Sequence, residues 1–298
     1  MRCAPQFLVL LLAGQCVRAD RVVTDDLGRK VNVGDHPHRV IALVPSVTDI
    51  LFSLGHGADV AGVSEFSKYP AAAMQKPRIG LPLSPSVETI LSLHADLVIG
   101  IADLNNSETI ANLERVHLPV VMVNGSSVAN IYRSIETIGN ALNDAGAARG
   151  LNSRLRARAE HVMADRKSKT RPTVLFPIWA DPLIVAGKHA FVTELITMAG
   201  GDSVTADIAQ DWMQISIEAV VKKQPALLIL PVSWPATMAQ LGQQAGWRDL
   251  ECVRRKQMIR VDGRMELPSP VAFDALEDLA KQFDRISAEE AVPIHTTR

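Results

Sequence analysis

The sequence predicts an α/β protein of two similar lobes, each with a central, mostly parallel sheet, joined by one long interlobe helix. Three observations predict it. The first is an internal repeat. Ser86-Val87-Glu88-Thr89-Ile90-Leu91 leads through His94-Ala95-Asp96 into the apolar run Leu97-Val98-Ile99. Ser216-Ile217-Glu218-Ala219-Val220-Val221 leads through Gln224-Pro225-Ala226 into Leu227-Leu228-Ile229-Leu230. Ser meets Ser, Glu meets Glu and apolar positions meet apolar ones, and self-similarity of this kind marks a repeated architecture. The second is a unit of short continuous apolar run, turn and helical pattern, from which open parallel sheets are made. The third is a long polar helical stretch, Asp144 to Lys169, lying between the two copies.

That stretch follows another helical pattern, Ser127 to Leu142, in which Val128, Ile131, Ile135, Ile138 and Leu142 share one face. Gly146 and Gly150 loosen the pattern before it resumes as Leu151, Leu155, Ala159 and Val162. Arg149, Arg154, Arg156, Arg158 and Arg166 surround this stripe, and no proline occurs between Pro119 and Pro172. About 24 residues at ~1.5 Å each span roughly 36 Å. So thin a stripe among so many charges suits a helix lying across two lobes; the competing reading is a surface helix of one domain.

Taken in order, residues 1–19 read as a cleaved secretory signal. Arg2 gives a positive start, Phe7 to Ala13 is a short apolar run and Val17-Arg18-Ala19 is a small-residue cleavage pattern. A lipidated Cys16 is disfavoured by Gln15, which stands where a small residue is expected. Cleavage removes Arg2 and Arg18 and no acidic residue, taking the net charge from −1 to −3. An acidic chain with no basic cluster interleaved with aromatics does not favour nucleic acid. Cleavage also leaves Cys252 as the only cysteine, so no internal disulfide is expected. The mature protein is expected to be soluble outside the cytoplasm.

The first lobe, residues 20–143, opens on a hairpin, Val22-Val23-Thr24 and Val31-Asn32-Val33 around Asp25-Asp26-Leu27-Gly28. His36-Pro37-His38 reads as a solvated loop or half of a metal site; no third ligand stands at a sensible spacing. Val40 to Val44 is a buried strand, broken by Pro45-Ser46 before a helix, Val47 to Leu54. Val60 to Val63 leads into the polar loop Ser64 to Pro70, whose Phe66 and Tyr69 are candidates for ligand contact or for packing at the lobe's edge. Ser107 to His117 and Val120 to Val123 close the lobe. Residues 144–169 are the interlobe helix.

The second lobe, residues 170–291, begins with the strand Thr173 to Phe176 and a loop, Trp179-Ala180-Asp181-Pro182. Phe191 to Met198 is a helix ended by Gly200-Gly201, Met258 to Val261 the last strand and Val271 to Ile286 an amphipathic helix; residues 292–298 are a loose tail. Trp179, Trp212, Trp234 and Trp247 all fall in this lobe, mostly at element ends, which fits a ligand cleft as well as a core. Glu88 and Glu218 each sit in a helix's first turn, a placement the helix dipole favours by roughly 0.3–1 kcal/mol. A matched pair of acids, one per lobe, also suits docking onto a two-fold partner.

Several of these segments, in this order, carry a resemblance. Val40 to Asp49, Gly62-Val63-Ser64 with Tyr69-Pro70, Arg78-Ile79-Gly80, Pro85-Ser86-Val87-Glu88, Ala95-Asp96-Leu97-Val98 and Ala199-Gly200-Gly201 resemble periplasmic binding proteins for cobalamin. That family lies within a wider class that also takes haem and ferric siderophores. The resemblance runs from about Arg39 to Phe283. It implies a ligand cleft between the lobes, no enzymatic activity, no cofactor or metal of the protein's own, and a monomer that delivers cobalamin or another corrinoid to an ABC transporter permease at the inner membrane. Ligand contacts would fall at Phe66, Trp179, Phe191 and Trp212, with polar contacts from Gly263 to Leu267, Arg264 among them. Glu88 and Glu218 would meet permease arginines. Ile101 stands where the cobalamin pattern can carry an aromatic.

Haem would ask for an iron-ligating Tyr69, Tyr132 or His189, and a siderophore for cleft arginines, of which Arg264 is the candidate. The eight histidines are scattered, which disfavours zinc. An exported α/β enzyme is the alternative of a different class, and it lacks support: there is no Gly-x-Ser-x-Gly elbow, Walker loop or Gly-x-Gly-x-x-Gly after a strand.

Overall fold

The computed structural model describes residues 21–102, 105, 107–166 and 170–290. The expected signal, residues 1–19, and the expected tail, residues 292–298, lie outside the described residues, as do residues 167–169 at the expected end of the interlobe helix.

The chain opens on the hairpin β1 (Arg21–Thr24) and β2 (Lys30–Val33), followed by β3 (Val40–Ala42), α1 (Pro45–Ser53), β4 (Val60–Val63), the short pair β5 (Gly80–Leu81) and β6 (Ser84–Pro85), α2 (Val87–Ser92), β7 (Leu97–Ile101), α3 (Ser107–Arg115), β8 (Val120–Val123) and α4 (Val128–Ala141). After α5 (Ala145–Ala164) come β9 (Thr173–Leu175), β10 (Pro177–Ala180), β11 (Leu183–Ala186), α6 (Phe191–Ala199), β12 (Asp202–Ser203), β13 (Trp212–Gln214), α7 (Ile217–Lys223), β14 (Leu227–Pro231), α8 (Met238–Leu241), α9 (Glu251–Arg254), β15 (Met258–Val261) and α10 (Ala272–Glu290).

Two four-stranded parallel sheets form the lobes, in the orders β4-β3-β7-β8 and β12-β9-β14-β15. Within each sheet the strands stand in the order second, first, third, fourth along the chain. The repeat read from about fifteen residues therefore extends to the whole sheet. Its details also match. Ser86 and Ser216 cap α2 and α7 by accepting N–H from Thr89 (3.1 Å) and Ala219 (3.3 Å). Glu88 and Glu218 are exposed, and Ile90 and Val220 are fully buried. The strands that follow, β7 and β14, are buried at every position, as all-apolar central strands must be.

Helix α5 has 20 residues, about 30 Å, and ends at Ala164, short of the expected end at Lys169. Its apolar stripe ends at Val162, and past that point the sequence has nothing to bury. Asp144 caps it by accepting the Ala147 N–H at 2.9 Å. The first half lies on α4, where Gly139 admits Ala148, a Cβ on Gly139 falling 2.5 Å from the Ala148 Cβ, and where Asn152 Nδ2 donates to the Tyr132 carbonyl at 2.9 Å. The second half turns to the other lobe: Arg158 pairs with Glu277 (2.7 Å) and Asp274 on α10. A single apolar core runs from Ile131, Tyr132 and Ile135 of α4 to Val192 and Leu195 of α6 and Phe273 and Leu276 of α10. The second lobe holds a separate core on the far side of its sheet, where Trp234 and Trp247 meet edge to face at 5.9 Å.

Candidate functional site

The lobes meet through loops at the carboxyl ends of their strands, the place where open α/β sheets bind ligands. A Cβ on Gly125, just past β8, would fall 2.6 Å from Pro268 Cγ, so the backbone there approaches the loop after β15 closely. Tyr69, in the loop after β4, reaches the same loop, and its Cε2 would lie 4.0 Å from a Cβ on Gly263. Among the described residues, two hydrogen bonds join the lobes at this seam. Asp49 Oδ2 accepts the Val271 N–H at 2.9 Å, and Glu194 Oε2 accepts the Val128 N–H at 3.0 Å. Burial pushes both carboxyls above the ordinary carboxylate range.

Trp179 and Trp212 are brought together by a second, antiparallel sheet in the order β10-β11-β13. Trp179 pairs with Ile184 and Trp212 with Ala186. Residues two apart on a strand share a face, so both rings stand on one side of this sheet. Leu183 and Val185 turn the other side into the lobe's core. Trp179 is 60% exposed and Trp212 37%. The Trp179 indole donates to the Asp181 carbonyl at 2.9 Å, fixing the ring. Trp179 was expected in a loop; it lies in β10, and the turn follows at Asp181-Pro182. Beside it a cavity of about 370 Å³ is lined by Ile178, Trp179, Asp181, Ser233, Trp234 and Pro235. Phe66 is 55% exposed in the loop after β4 of the other lobe.

Two of the expected contacts are engaged within the protein. Phe191, at the first position of α6, is 4% exposed and belongs to the continuous core, since a helix packed on a sheet turns its apolar first turn inward. Arg264 is committed to its own lobe: its Nε donates to Asp262 at 2.8 Å and its Nη2 to Asp278 at 2.8 Å. Glu266, in the same turn, has its carboxyl pushed up by burial and by Asp262.

Among the candidate iron ligands, Tyr132 is buried against the Phe273 ring (5.7 Å) and beneath the Arg156 guanidinium (4.0 Å). Tyr69 is half-buried, with its phenol pushed up by burial and by Asp262. His189 is exposed. His38 pairs with Asp59 at 3.2 Å, and no group of described residues has the makings of a metal site. Cys252 is buried, and its thiol is pushed up to about 11. None of the described helices is long and apolar enough to cross a membrane. The seam carboxylates Asp49 and Glu194 were missed in the sequence. Their signal was available: Thr48-Asp49-Ile50-Leu51 and Thr193-Glu194-Leu195-Ile196 place an acid inside the apolar face of the first helix of each lobe.

A family described as periplasmic binding protein matches residues 40–265. An ABC transporter substrate-binding lipoprotein of Bacillus subtilis is 25% identical over 88% of this chain and 84% of its own. A vitamin B12-binding protein of Vibrio parahaemolyticus is 25% identical over 83% of this chain and 90% of its own. Among solved structures, the apo form of a periplasmic haem-binding protein from Roseiflexus sp. RS-1 superposes with a TM-score of 0.77 at 27% identity, covering 84% of this chain and 99% of that one.

Proposed function

The chain belongs to the periplasmic binding protein family, and from that membership we propose that it captures cobalamin or a related corrinoid between its lobes and hands it to an ABC transporter permease. Substrate capture for an ABC transporter, not turnover, is the work of its relatives. The observation that carries the corrinoid reading is the pair of exposed indoles, Trp179 and Trp212, on one sheet face. Flat, stiff aromatic surfaces suit a large macrocycle because they bury much area while few rotors are lost. Phe66 on the opposite lobe adds a third apolar contact. A corrinoid carries its own axial groups and asks only for such surfaces. Haem in an open receptor asks for an iron ligand, and here Tyr132 is buried and Tyr69 is harder to ionise than a free phenol. A ferric siderophore asks for free guanidinium groups, and Arg264 is already paired.

In this reading residues 1–19 are removed on export, the mature chain works as a periplasmic monomer, and Glu88 and Glu218 contact the permease. The exposed His189 and the likeness to a haem-binding protein favour haem as the second reading. The deciding experiment is a titration of tryptophan fluorescence with cyanocobalamin and haemin side by side. Quenching that saturates at one cyanocobalamin per chain, with haemin weak, supports the corrinoid. Saturation by haemin alone overturns it and makes His189 the residue to change.

A further inference from the structure

We infer that Asp49 and Glu194 are positioning residues: two reciprocal latches that set the angle between the lobes before any ligand arrives. Asp49 lies on α1, the first helix of its lobe, and accepts the N–H of Val271, the residue just ahead of α10, the last helix of the other lobe. Glu194 lies on α6, the first helix of the second lobe's sheet, and accepts the N–H of Val128, the first residue of α4, the last helix of the first lobe. Each lobe thus offers an acid from its first helix to the amino end of the other's last helix.

The two sites match in detail. Each acid follows a buried threonine whose hydroxyl donates back to the chain, Thr48 to the Val44 carbonyl at 3.2 Å and Thr193 to the Gly187 carbonyl at 2.7 Å. Each acid precedes two buried aliphatic residues. This is a second internal repeat, beside that of Glu88 and Glu218, and it lies at the seam.

A helix's first N–H groups have no partner within the helix and carry the positive end of its dipole, so an anion there is favourable. Such ends are usually capped locally, and Ser127 already accepts the Asn130 N–H of α4 at 3.1 Å. Glu194 and Asp49 come instead from the opposite lobe. Their bonds form only when the lobes are docked, and swinging the lobes apart exchanges each of them for hydrogen bonds to water and loses its net stabilisation, which is larger for a charged acceptor than for a neutral one. The continuous core between α4, α6 and α10 opposes the same motion.

The test needs no ligand, so its outcome is independent of which molecule the cleft takes. Spin labels on Glu88→Cys and Glu218→Cys, in a chain carrying Cys3→Ser and Cys16→Ser, report the separation of equivalent points on the two lobes; the buried Cys252 is left in place. The unaltered seam is expected to give one narrow distance distribution. Asp49→Ala with Glu194→Ala is expected to broaden it at least twofold, and Asp49→Asn with Glu194→Gln, which keep an acceptor oxygen, to restore it. Circular dichroism checks folding, and the single alanine variants, each retaining one latch, serve if the double does not fold. An alanine variant as narrow as the parent, or an Asn/Gln pair as broad as the alanine pair, overturns the inference.

Discussion

Trp179 and Trp212 stand on the same face of one antiparallel sheet, paired to Ile184 and Ala186 of the strand between them. The opposite face of that sheet is core, so the platform's position is fixed by Leu183 and Val185 packing beneath it. In the proposed reading, rigid support of this kind makes the two exposed indoles a binding surface rather than a surface liability.

The first prediction concerns that platform. Trp179→Ala and Trp212→Ala are each expected to raise the Kd for cyanocobalamin about tenfold, since an aromatic contact is worth roughly 0.5–1.5 kcal/mol beyond area and tenfold is about 1.4 kcal/mol. Neither ring belongs to the core, so the melting temperature should hold. Calorimetric titration of each variant decides: affinities equal to the parent's would remove the indoles from the site.

A second prediction separates capture from delivery. Glu88→Ala with Glu218→Ala should leave ligand affinity within twofold and lower uptake by cells that depend on the transporter. Both carboxylates are exposed, and the Ser86 and Ser216 caps, not the acids, complete the helix ends. Loss of binding in step with uptake would make them ligand or folding residues instead.

The first repeat and the central helix were legible in the sequence; the fate of single side chains was not. The Ser-x-Glu segment was legible because it precedes an all-apolar strand, and both copies keep that order. The central helix was legible from its stripe, Leu151, Leu155, Ala159 and Val162, all of which are buried; its end was not, because a polar tail and a polar helix look alike in sequence. Phe191 and Trp212 each sit at an element's start, and sequence alone does not say that one turns into a core and the other onto a sheet's open face. Arg264 looked available because its partners, Asp262 and Asp278, stand two and fourteen residues away, the second on a helix whose docking only the fold reveals.

A third prediction concerns Gly200, which ends α6 at φ +104° while its N–H donates to the Ile196 and Thr197 carbonyls, both at 3.1 Å. A side chain is strained in that left-handed conformation by about 1–2 kcal/mol. A Cβ would also fall 2.5 Å from Arg166 Nε, the far end of a flexible side chain that yields cheaply. Gly200→Ala should therefore lower stability by about 1–2 kcal/mol in urea unfolding. No loss would mean that the helix end rearranges around the new methyl group.

The last prediction follows from the seam acids. Burial raises the pKa of Asp49 above 3.8 and that of Glu194 above 4.5, with the neighbouring Asp274 adding to the rise at Asp49. A raised value means that the folded chain holds the proton more tightly than the unfolded one. The stability each group contributes is complete below its unfolded value and is lost as the pH rises through its folded value. Asp59 and Asp144 act in the opposite sense. At Asp59 the hydrogen bonds from His56 and His38 outweigh burial, and at Asp144 the Ala147 N–H leads; both values lie below 3.8, so their contribution falls away only in stronger acid. Between about pH 7 and 4.5 the seam acids therefore dominate the difference between the native chain and Asp49→Asn with Glu194→Gln. The variant, which keeps its acceptors without burying charge, should match or exceed the native melting temperature at pH 7, and the native chain should gain on it as the pH falls. Groups common to both proteins, Glu266 included, cancel in that comparison. Melting curves that stay parallel across the range would show that the two carboxyls ionise as freely in the fold as outside it.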